Sequence, residues 1–171
     1  MAKPKPTDAA PYFEKYISLV KADSPAAAIQ MYAAPLLEFY TRLPDEKADF
    51  QYAPGKWTIK EVLQHIIDAE RIFSYRILRI ARKDATPLAS FDENSYAVNA
   101  LSANRSFQAI KEEFAAVRNA TDLLILSLSD SQLAEMGISS NTPTTANALC
   151  FIAFGHMIHH QHIIEDRYFG G

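Results

Sequence analysis

The sequence predicts an all-α protein: an antiparallel four-helix bundle with an extra short N-terminal helix and a long connection between the second and third long helices. Three observations lead there. Glycine is scarce, 5 in 171 residues, and two of those are the last two positions, which disfavours many short strands joined by glycine turns. Long segments carry apolar residues at spacings of three and four, the period of a helix. Those segments are bounded by capping residues and prolines, the ordinary start and stop signals of helices.

The elements follow in order. Tyr12, Phe13, Tyr16, Ile17 and Val20 give a short first helix over Pro11 to Val20. Asp23-Ser24-Pro25 is a start signal, a capping side chain followed by proline at the first helical position. That helix is expected to reach about Leu43, with Pro35 kinking or interrupting it because proline lacks a backbone donor. Thr58-Ile59-Lys60-Glu61 is a capping box, and Trp57 before it can pack on Val62 as a hydrophobic staple. The helix it opens carries Val62, Ile66, Ala69, Ile72, Phe73, Ile77 and Ile80 on one face and ends near Asp84. Ala85 to Leu101 is expected to be a long connection, of a length often functional or packed over a site. Phe107, Ile110, Phe114, Val117, Thr121, Leu124, Ile125 and Leu128 form the third long stripe. Ser139 to Pro143 reads as loop, and Thr144 or Thr145 caps a last helix running to about Tyr168. No repeat or linker divides the chain, so residues 1–171 are expected to form one domain.

Composition narrows the function classes. Apolar residues are 49% and charged residues 22%, ordinary for a globular chain and unlike a disordered one. The net charge of −3 carries no electrostatic footprint for nucleic acid. No apolar run approaches the ~20 residues of a membrane helix, and Met1-Ala-Lys-Pro-Lys-Pro leads into no apolar signal segment, so the expected address is the cytoplasm. The single cysteine, Cys150, excludes an internal disulfide and a multi-thiolate zinc site; off the histidine stripe, it reads as a small buried hydrophobe. H-E-x-x-H is absent, no glutamate is followed three positions later by histidine, and no phosphate-binding glycine loop occurs.

Histidine supplies the one chemical signal. Of five histidines, His156, His159, His160 and His162 fall within seven residues, and the fifth is His65. A helix turns about 100° per residue, so His156 and His160 share a face. They point with Leu149, Ile152, Ala153 and Ile163; His159 lies at the margin of that stripe and His162 points away from it. Two core-facing imidazoles need partners for every ring nitrogen, and a divalent cation binding both neutral rings would satisfy that need at the i, i+4 spacing of helical metal sites. A hydrogen-bonded or partly solvated histidine pair fits the same pattern. His65, on the second long helix, is the third candidate ligand or an ordinary core-edge histidine. Glu61 and Asp68, one turn either side of it, can orient a ligand, act as a base, or be solvated helix charges.

Two stretches together resemble a known family. Gly55-Lys56-Trp57-Thr58-Ile59-Lys60-Glu61-Val62-Leu63-Gln64-His65, continued by Asp68-Ala69-Glu70-Arg71, is similar to the second-helix signature of the DinB/YfiT-like proteins. Gly155-His156-Met157-Ile158-His159-His160 resembles their last-helix signature, and Phe91-Asp92-Glu93-Asn94-Ser95-Tyr96 their intervening loop. The likeness spans the chain from about Tyr12 to Tyr168. It implies a four-helix bundle holding a divalent metal on His65, His156 and His160, commonly as a homodimer. Its characterised enzymes are metal-dependent transferases or isomerases that use low-molecular-weight thiols such as bacillithiol or mycothiol. It implies no DNA binding.

Two functions are therefore expected. In the first, three histidines leave an open position on a divalent metal, zinc or else nickel, and a thiol or water bound there attacks a small electrophilic substrate. Arg71, Arg76 and Tyr96 are candidates for holding that substrate. In the second, the bundle is not an enzyme, the metal is structural or vestigial, and a helical face mediates association. A fourth protein ligand such as Asp68 would favour the second.

Overall fold

The structure, a computed structural model, describes residues 1–170. Its elements are α1 (Glu14–Ile17), α2 (Pro25–Thr41), α3 (Ile59–Ala81), α4 (Glu93–Asn99), α5 (Phe107–Leu126), α6 (Asp130–Leu133), β1 (Met136–Ser139), β2 (Thr142–Thr145) and α7 (Ala146–Ile163), the last continued by a π-helical turn over Ile164–Phe169. The helix starts follow local chemistry. Ser24, Thr58, Ser106 and Thr145 each accept a backbone N–H of the first turn of α2, α3, α5 and α7. At α3 the box is complete, with Glu61 accepting from the Thr58 N–H at 2.7 Å and Thr58 Oγ1 accepting from the Glu61 N–H at 3.1 Å.

α2, α3, α5 and α7 make the four-helix bundle. α3 packs on α5 and α7, and α2 packs on the same two. The order round the bundle is therefore α2, α5, α3, α7, and α2 and α3, consecutive in the chain, lie diagonally. One continuous apolar cluster joins all four. α1, like α2 and α3, packs on α7, so every residue from Ala146 to Ile158 is buried, as expected of a helix apolar on all sides. The single apolar stripe expected to hold His156 and His160 is thus widened to the whole circumference of α7, which carries His156 inside.

Other expectations are also revised. α2 continues through Pro35 without interruption. The first segment is a 3-10 turn at Pro11–Phe13 leading into the single turn of α1. The connection from Ala85 to Leu101 contains α4, capped by Asp92, whose Oδ1 accepts from the Asn94 and Ser95 N–H groups. Residues 139–143 are not loop but the tip of a β-hairpin, pairing Ser139 with Thr142. Its two central residues, Ser140 and Asn141, both take positive φ, the requirement of a type I′ turn. Leu88 pairs with the hairpin, its N–H donating to Ile138 O and its carbonyl accepting from the Ser140 N–H, both at 2.9 Å. Among the described residues no helix is long and apolar enough to cross a membrane.

Two contacts fix the helices around the site. Arg118 of α5 is buried and donates to Glu70 of α3 at 2.5 Å and to Asp122 at 2.6 Å, with its guanidinium over the Phe154 ring. Gly155 lets α1 lie directly on α7, since a Cβ there would stand 2.1 Å from the Tyr16 carbonyl oxygen.

Candidate metal centre

α3 presents His65 and α7 presents His156 and His160 to a common point. Nε2 of His65 and Nε2 of His160 each lie 3.1 Å from Nε2 of His156. One ligand atom from each ring lies within 4.8 Å of the others. Two donors about 2.0–2.1 Å from one ion at a tetrahedral angle stand roughly 3.3 Å apart, close to the observed spacing. Without a cation the arrangement is frustrated. The single in-plane lone pair of His156 Nε2 can accept one N–H well, yet two nitrogens press on it. The donor set therefore fits a divalent ion of borderline softness.

Electrostatics keeps the rings in the ligating form. Burial lowers the His65 pKa to about 4, with the Glu93 carboxylate opposing the shift. His156 and His160 fall well below the ordinary imidazole value, through burial first and then the neighbouring histidines and Lys15. All three are neutral at pH 7. His160 Nδ1 is buried without a hydrogen-bond partner, so its orientation comes from packing instead of a carboxylate or carbonyl behind it.

Aromatic rings supply that packing. Trp57 lies against His65, and Tyr16 and Phe73 against His156, at centroid distances of 4.9, 5.6 and 5.6 Å. Tyr168 in turn anchors Trp57, its hydroxyl donating to the Trp57 carbonyl at 2.6 Å. The triad faces a cavity of about 540 Å³ whose walls come from the N-terminal segment, α3, α7, the stretch before α4 and the hairpin. That volume suits a small-molecule ligand.

The remaining sequence candidates divide. His159 is half-buried on the cavity wall, with Tyr16 against its ring, and His162 is exposed. Glu61 is engaged in the α3 cap and Asp68 accepts from Gln64 Nε2 at 3.1 Å; neither belongs to the converging atoms. Arg71 pairs with Glu113 at 2.5 Å, and Tyr96 is exposed against Phe91, so both lie off the cavity wall. Arg76 is on it. Cys150 is buried and its thiol is pushed up to about 12 by burial, so it is no nucleophile at neutral pH. Tyr16, Phe73 and the hairpin residues Ser140 and Thr142 were not singled out as site residues. For Phe73 the signal was available in part, since it stands one turn beyond Ala69 on the apolar face of α3.

Fold and site together define a class, the helical bundles that gather imidazoles from facing helices into an open donor set. The chain belongs to the DinB superfamily, whose profile matches residues 30–164. Among solved structures it is similar to YfiT from Bacillus subtilis, described as a probable metal-dependent hydrolase with an unusual four-helix bundle topology. The TM-score is 0.71 at 19% identity, covering 98% of this chain and 93% of that one. At that identity the likeness establishes the shared fold. No curated protein sequence matches this one.

Proposed function

We propose that this protein is a metal-dependent hydrolase of a small molecule, with His65, His156 and His160 as the ligands of a divalent ion, zinc first and nickel next. The observation that carries the reading is the convergence of three buried, neutral Nε2 atoms on one point beside a cavity of about 540 Å³. Three protein ligands are the count of a catalytic site, one short of the closed structural kind. The description of YfiT supports the same class. When bound, a divalent ion supplies Lewis acidity and makes a nucleophile of water at neutral pH.

The chain's own residues do the rest. Burial holds the three imidazoles unprotonated, with their lone pairs turned inward. Trp57, Tyr16 and Phe73 fix the rings and keep bulk water from their faces. Glu93 is the one acid on the cavity wall among the described residues and is exposed, which makes it the candidate to pass a proton from the site to solvent.

A second reading has a specific observation behind it. Among the described residues no buried carboxylate lines the cavity as a general base. A low-molecular-weight thiol, with a pKa near 8.5, needs less help to ionise than water does. The same site would then transfer that thiol to an electrophile.

The test is turnover of the purified, metal-loaded protein on a panel of esters, amides and epoxides, with and without bacillithiol, mycothiol or glutathione. Hydrolysis without thiol, lost in His65→Ala, is the expected result. Turnover only with thiol selects the second reading. Absence of metal-dependent turnover in both arms removes the enzyme.

A further inference from the structure

Four lysine and arginine side chains are buried: Lys60, Arg76, Lys111 and Arg118. Three have an acid. Lys60 pairs with Asp49, Lys111 with Asp45, and Arg118 with Glu70 and Asp122. Arg76 has none within 4 Å among the described residues, although it is only 3% exposed. A buried cation without a counter-charge is costly, and its position shows where a counter-charge can come from.

Arg76 lines the same cavity as the histidine triad. Its Nη2 donates to the Ala89 carbonyl at 2.7 Å and to Ser140 Oγ at 3.1 Å, which ties the guanidinium to the hairpin and to the segment before α4. Both partners are neutral acceptors. Nη1 and Nε make no hydrogen bond to the described residues, and neither is among the enclosed polar atoms lacking partners. Each therefore keeps a free N–H with some exposure, but the two share no edge of the guanidinium, since Nη2 belongs to both of its paired edges. Arg76 offers an unneutralised positive charge with single donors to spare, which suits an oxygen of a carboxylate or phosphate.

Register places this guanidinium relative to the triad. Arg76 follows His65 by eleven positions, about 20° from the same face of α3 and roughly 16 Å further along its axis. Ala69 and Phe73 lie between them on the cavity wall. A ligand touching both ends is elongated, with its reacting atom at the histidines, an apolar body beside Phe73 and its negative group at Arg76.

We propose that Arg76 binds an anionic group of the substrate, so that the site takes small amphipathic carboxylates or phosphate monoesters and discriminates against their neutral analogues. This rests on the reading that the histidine cavity is the reaction site.

The experiment measures binding and not turnover. Purified full-length protein with its metal is titrated calorimetrically with phenylalkanoates of two to six methylenes, the matching phenylalkyl phosphates, and the amide or alcohol of each. A charge-assisted pair predicts a preference of about 10- to 100-fold for the anion at one chain length. Arg76→Gln keeps an amide donor at the position, abolishes that preference and leaves affinity for the neutral analogue unchanged. Carboxylate and phosphate arms separate the two anion chemistries. In the wild-type protein, the Arg76 Nε–Hε resonance shifts with the anion and not with its neutral partner, a readout that does not depend on the variant folding. Equal affinities across the series, a preference that survives in Arg76→Gln, or an unmoved resonance each overturn the proposal. Equal affinities would leave the metal reading standing, whereas absence of turnover with the preference intact would remove only the hydrolase.

Discussion

Gly155→Ala sets helix propensity against packing, and the structure decides the sign. Alanine in a helix interior is better than glycine by about 0.5–1 kcal/mol. The new methyl would stand 2.1 Å from the Tyr16 carbonyl oxygen, 2.5 Å from its carbon and 2.9 Å from its Cα. All three are backbone atoms, so no side chain can turn aside. Reaching an ordinary contact requires α1 to move by roughly 1 Å, and overpacking of this kind costs about 1–3 kcal/mol. The net expectation is a loss of about 1–2 kcal/mol, or a Tm lower by roughly 2–8 °C in a chain of this size. Scanning calorimetry reads the Tm. The site should register it too, because the Tyr16 ring lies against His156 and His159, so metal affinity should fall with the Tm. An unchanged or raised Tm would mean that α1 does not rest on α7 through this glycine, and the account of the cavity wall would fail with it.

Two further outcomes follow from burial. After chelation, acid should destabilise the protein between about pH 6.5 and pH 4. The His65 pKa lies near 4 when folded and near 6.5 when unfolded, so the unfolded chain binds the extra proton and stability falls as pH drops through that window. His65 alone contributes up to about 3 kcal/mol; His156 and His160 act in the same direction. Urea unfolding at stepped pH measures it, and a flat profile would contradict neutral buried rings. Glu70→Gln leaves Arg118 buried beside Asp122 alone and should cost about 3 kcal/mol, seen as a lower urea midpoint; a change within about 0.5 kcal/mol would show that the pair does not hold α5 to α3.

What the sequence showed, and what it hid, follows from the range of the forces involved. The α3 start was legible because a capping box is satisfied within four residues, Thr58 to Glu61. His156 and His160 were legible as a pair because one helical turn brings them together, whatever surrounds them. The convergence of His65 with them depends on α3 packing against α7 across 91 positions; helix periodicity left His65 as a candidate ligand or a core-edge histidine, and the family resemblance pointed to the first. The burial of α7 on all sides was misread because aromatic and small residues wrap the whole helix, leaving no polar stripe beyond the histidines. The hairpin was hidden because Pro143 looks like a strand breaker, yet in a two-stranded sheet it needs no inward N–H. Arg76 stood beside Arg71 and Tyr96 as a candidate for holding substrate; the absence of an acid around it in three dimensions is what separates it from them.

The chemistry proposed for this chain requires three imidazoles to share one cation. X-ray absorption at the metal edge of the purified protein, with elemental analysis of the same sample, tests it most directly. Close to one divalent ion per chain is expected, with three histidine nitrogens in its coordination shell, and that ion should be lost in His65→Ala and in His156→Ala. A protein that takes up no ion when zinc or nickel is supplied, or an ion retained at full occupancy in either variant, would contradict it.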